Sequence, residues 1–187
     1  RARGNIAVRD MLGRAELGVP RDPSVRDKTL IWLNPPLYPC AAYLPIERAG
    51  QGLPWPAAQH ILASSASALH VERPDAFSLR LRQHGGFLLE PTAKLLWSEQ
   101  RPFREGERIT QADMIVTVLR VTPDQRPLEI EARFAHTLED PRYLWVQWGD
   151  TRSVGFTPPP VGGQLELPAA DYVRTVLGVA LPFEARL

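Results

Sequence analysis

Several ingredients are scarce in this sequence. There is a single cysteine, Cys40, so no internal disulfide can form and the redox compartment stays open. A lone cysteine of this kind reads as a small buried apolar residue rather than a reactive thiol. No stretch reaches the roughly 20 apolar residues that a membrane-spanning helix needs, and no signal-peptide core follows the start. The four histidines, His60, His70, His84 and His136, have no metal-ligand spacing, and one cysteine cannot complete a zinc set. Neither a metal nor a cofactor is therefore expected. The serine-hydrolase elbow, the P-loop, the dinucleotide fingerprint and the H-E-x-x-H zinc motif are all missing. Net charge is close to nil at +1, so no global field draws the chain to nucleic acid, and none is expected as a partner. Lysine is nearly absent, two against 20 arginines, a skew associated with GC-rich bacterial genomes.

What remains is ordinary globular material. Of 187 residues, 44% are apolar and 23% charged, which argues against disorder and leaves room for a buried core. Nineteen prolines favour short strands with many corners. Residues 1–27 are densely charged and broken by glycine and proline, with a small basic surplus. They read as a linker or juxtamembrane segment, with a short helix within Asn5–Leu17. A chain opening on Arg1 reads as a domain cut from something longer.

From residue 28 the pattern changes. Thr29–Leu33 is a buried-strand signal stopped by Asn34-Pro35-Pro36. A helix follows in the Cys40–Gly50 stretch, kinked or shortened by Pro45 and ended by Gly50 and Gly52. The run from Leu53 to Ser65 reads as a turn into a helix or short strand, which completes a βαβ-like unit. Strand signals then recur at Leu69–Val71, Phe77–Leu81, Phe87–Leu89 and Leu95–Trp97. The clearest hairpin joins Met114–Val121 to Leu128–Phe134 through a Pro123-Asp124 turn. A second joins Tyr143–Trp148 to Ser153–Phe156. Leu165–Leu167 is a last short strand, and Ala170–Leu181 a terminal helix. The expected fold is α+β. A short α/β-like N-terminal unit, to about residue 65, feeds a mostly antiparallel β-sandwich or small barrel, to about residue 168. Residues 28–168 form the body, and 169–187 the terminal helix and tail.

Candidate functional positions are few. Asn34 closes the strand-end crevice where α/β sheets bind ligands. His84 precedes Gly85-Gly86 in a predicted turn. Arg80 and Arg82 alternate along one strand and form a basic stripe suited to phosphate or anionic lipid. Trp55 lies between two prolines. Trp145 and Trp148 are three apart and point to opposite faces of a regular strand, so one of them is available to a ligand. Glu129 and Glu131 read as a solvated strand face.

The string FREGERITQADMIVTVLRVTPDQRPLEIEARFAHTLEDPRYLWVQWGD, with FTPPPVGGQLELP after it and TLIWLNPP and AAYLP before it, resembles the extramembrane C-terminal region of uncharacterised bacterial multi-pass membrane proteins. The resemblance runs from about Asp27 to Leu167 and contains no catalytic motif. It implies an upstream membrane region, and the basic start then leans towards the cytoplasmic side. The favoured reading is a non-catalytic binding or scaffolding domain of a membrane-associated protein. Its partner is the membrane region of its own chain or another protein. One alternative is a hydrolase or transferase using Asn34, His60, His70 and His84. Another is a carbohydrate-binding module using Trp55 or Trp148.

Overall fold

The computed structural model describes residues 10–36, 38–89 and 101–171. The side chain of Cys40, the strand expected at Leu95–Trp97 and, from Tyr172 onward, the terminal helix expected at Ala170–Leu181 lie outside the described residues.

The described chain is mostly β, in two separate sheets that do not close into a barrel. A helix over residues 10–16 (α1) and a 3₁₀ turn at Pro23–Asp27 come first. Strand β1 (Thr29–Trp32), helix α2 (Tyr38–Gly50) and strand β2 (Ala58–Ile61) follow. Six more strands come next: β3 (Leu69–Glu72), β4 (Ser78–Gln83), β5 (Arg108–Gln111), β6 (Met114–Val121), β7 (Pro127–Phe134) and β8 (Tyr143–Trp148). Strands β9 (Ser153–Gly155) and β10 (Gln164–Leu167) complete the set.

The first sheet has the order β2-β1-β8-β9. Strand β1 is parallel to both neighbours, so β1-α2-β2 is the βαβ unit expected from the sequence. Its residues alternate between two buried environments. Leu30 and Trp32 pack with Ala15, Val19, Ala41 and Leu44 of the helical side, and Ile31 and Leu33 pack towards the second sheet. A central parallel strand covered on both faces has this continuous apolar character. Helix α2 runs through Pro45 rather than stopping there. Proline has no N–H for the carbonyl four residues back, and Ala41 O instead accepts the Gln59 side-chain amide at 3.3 Å from β2.

The second sheet has the order β10-β3-β4-β7-β6-β5, antiparallel throughout. Its inner residues, including Leu69, Val71, Leu79, Leu81, Ile130, Ala132 and Phe134, share one apolar cluster with Ile31, Leu33, Tyr143 and Trp145 of the first sheet. The uneven alternation of β6 has a local cause, a register shift between Val118 and Arg120.

Two expectations need correction, and one strand went unread. Phe87–Leu89 is not a strand. Two successive glycines with positive φ turn the chain there, and Phe87 N–H bonds the Pro127 carbonyl at 2.7 Å. Strand β5 went unread because all four of its residues are exposed and carry no in-out pattern. The α/β-like unit does not end near residue 65, because β8 and β9 return to the first sheet, with β8 beside β1. Residues 10–27 also pack on the body, burying Met11, Ala15, Glu16, Val19 and Val25.

Candidate binding face

On the second sheet, period-two alternation leaves a face of charged side chains opposite the apolar one. Register sets them in rows. One row reads Glu166, His70, Arg82, Glu129, Arg120 across β10, β3, β4, β7 and β6. The neighbouring row reads Gln164, Glu72, Arg80, Glu131, Thr117, Arg108 across all six strands. Side chains directly opposite on neighbouring strands lie about 5 Å apart at Cβ, so each row is a line of adjacent charged and polar groups.

The two arginines singled out from the sequence differ in their surroundings. Arg80 is compensated by three carboxylates, Glu131 at 3.3 Å, Glu72 at 3.7 Å and Glu129 at 4.0 Å. Arg82 is exposed and has no carboxylate within ion-pair distance among the described residues. Among the described residues Arg120 reaches only Glu129, at 3.9 Å. His70 Nδ1 lies 3.0 Å from a Glu166 oxygen. A carboxylate there accepts, so Nδ1 is the donor.

These groups surround two adjoining depressions. One, of about 310 Å³, is lined by His70, Arg82, His84, Arg120, Glu166 and the Gly85 turn. The other, of about 200 Å³, is lined by His70, Glu72, Arg80, Arg82 and Glu129. The turn that presents His84 is stapled in place. Arg126 donates to Phe87 O at 2.7 Å and to Gly85 O at 3.1 Å, and Ser67 Oγ donates to His84 O at 2.7 Å.

Comparison with known proteins gives no match to a family model, a curated protein or a solved structure. The functional reading therefore rests on geometry.

The remaining sequence candidates fall elsewhere. Asn34 is buried, and its Oδ1 accepts the Trp148 backbone N–H at 3.0 Å. The strand end at which it was expected to close a ligand crevice is crossed by the chain. Ser65 N–H bonds Pro35 O, and Ala170 N–H bonds Ser65 O. Trp148 is not an exposed platform. Both it and Trp145 are buried, on opposite faces of β8, because both faces of the first sheet are covered. Trp55 is half-buried against the helical cluster, with the Arg48 guanidinium 6.0 Å from its ring centre.

His60 takes no part in the charged face. It projects between the sheets, and its ring nitrogens lie 2.6 Å from Gln111 Oε1 and 2.6 Å from Asp113 Oδ1. It thus clasps edge strand β2 to the β5–β6 turn. Glu129 and Glu131, expected to be merely solvated, are ion-paired with Arg80.

Sequence reading missed Arg120, Glu166 and the pairing of His70 with the arginine stripe. His70 was legible, since Leu69-His70-Val71-Glu72 alternates as FSLRLRQ does. Arg120 was obscured by the irregularity in β6.

Proposed function

We propose that this chain is a non-catalytic binding domain of a membrane-associated bacterial protein, and that it engages its partner through the charged face of the six-stranded sheet. The two sheets are read as the leaves of a sandwich, on the strength of the apolar cluster they share. The observation that carries the proposal is the contrast between faces. Both faces of the first sheet are covered, and so is the inner face of the second. Its outer face presents ordered rows of charge, with Arg82, His84, Arg120 and Glu166 exposed.

Such a surface suits recognition by complementary charge, which sets register and partner choice more than raw affinity. The partner is the membrane region of the same protein or a second protein in its complex, on the cytoplasmic side. No helix among the described residues is long and apolar enough to cross a membrane, so the membrane association proposed here would reside elsewhere. Arginine footprinting tests the reading. Arg82 and Arg120 are expected to lose reactivity towards phenylglyoxal in the full gene product in its native membranes, relative to the isolated chain.

A further inference from the structure

The charges of the open face do not cancel evenly. Around Arg80, one guanidinium meets three carboxylates. At the His84 end, Arg82 meets none among the described residues, and Arg120 has one distant partner. Glu166, the one carboxylate lining the larger depression, is hydrogen-bonded to His70. The unbalanced charge there is positive. It sits in a concavity whose wall is fixed by the stapled Gly85-Gly86 turn.

We infer that this depression binds the phosphoryl oxyanion of a ligand, with Arg82 as its main contact and His70, His84 and Arg120 around it. The inference rests on the proposal that this face is the binding face. The chemistry favours a phosphoryl group over a carboxylate. A guanidinium offers a planar fork of donors that matches two oxygens of one anion. A phosphoryl group carries up to two charges and three acceptor oxygens. It can therefore satisfy the Arg82 fork and still accept from Arg120 and a His84 ring N–H. The carboxylates already on this face leave Arg82 unmatched. Arg82 and Arg120 flank Glu129 in the same row, so both guanidinium groups belong to one face of the sheet.

The test is a titration of the intact chain with inorganic phosphate at constant ionic strength, read by the NMR shifts of arginine Nε–H and histidine ring protons. Saturable shifts are expected at Arg82, His84 and Arg120, with the Arg26 and Arg152 signals unmoved. Arg82→Gln should weaken binding by about tenfold or more, and Arg152→Gln should not. Both side chains are exposed, so the unshifted signals of each variant report an intact fold. Where phosphate saturates, co-sedimentation with phosphatidic acid vesicles, but not with phosphatidylcholine vesicles, assigns a lipid headgroup. Its absence assigns a soluble phosphate ester, and both results support the site. Shifts that never saturate, or that are equal at Arg26 and Arg152, overturn it. If footprint protection at Arg82 persists in that event, the oxyanion falls and the binding face stands. If protection is also absent, both fall.

Discussion

Single residues decide how the N-terminal segment and the loops are held. Arg48 has a fully buried side chain, and it gathers the Glu16 carboxylate at 2.7 Å, the Val19 and Pro20 carbonyls and the Pro54 carbonyl. Burial pushes its guanidinium below the ordinary value, while the Glu16 charge pulls it back. Removing one member of a buried pair strands the other, at a cost of about 3–5 kcal/mol. Glu16→Ala should lower the unfolding free energy by that amount, read as a lower urea midpoint at an unchanged m-value. Replacing both partners with apolar residues should cost less than the two single changes together. Arg73 plays the matching role in the loops, binding both oxygens of Glu139 and the Pro159 carbonyl. That contact holds the Glu139 carboxyl below its usual range, and Arg126 does the same for Asp124. A carboxyl depressed in the folded state adds stability above its unfolded value and loses it as pH falls through its folded value. Thermal stability should therefore drop from about pH 4 downward, and Glu139→Gln should flatten that slope. None of these long-range contacts was legible in the sequence, because Arg48 and Arg73 look like any other arginine until the chain is folded around them.

At the scale of elements, the hairpins and the βαβ unit were legible because local turn chemistry and period-two alternation specify them. Turn 84–86 shows how narrow that specification is. Gly86 has φ +90°, and a Cβ there would meet Thr122 Cγ2 at 2.5 Å and the Pro127 carbonyl at 3.0 Å. Gly106 has φ +81° and nothing within 4 Å. Both glycines avoid backbone strain, but only Gly86 also avoids a clash. Gly106→Ala should cost about 1 kcal/mol and Gly86→Ala about 2–3 kcal/mol, measured by chemical denaturation. The second change should also disturb the His84 and Arg126 signals, since the turn carries His84 and its carbonyls accept from Arg126. The sequence marks both positions only as glycine, and nothing local separates them. Helix α2 gives the converse lesson. Pro45 argued for a kinked or shortened helix, and a side chain from a strand more than ten residues later supplies the missing donor.

For the whole molecule, the mostly β character was readable and the assembly was not. Strand β8 pairs with β1 across more than 100 residues of chain, and no local pattern names that partner. The misreading of Trp148 has the same root. A run as apolar as YLWVQW signals a strand covered on both faces, which leaves neither tryptophan free. The candidate face was half legible. The Arg80–Arg82 alternation put both on the polar side, but which of the two is already satisfied depends on cross-strand register.

The central claim is that this face meets a partner, and arginine footprinting of the full gene product in its native membranes tests it most directly. The account predicts that Arg82 and Arg120 react with phenylglyoxal several-fold more slowly there than in the isolated chain, while Arg26 and Arg152 react at unchanged rates. Equal rates at all four arginines in both preparations would contradict it.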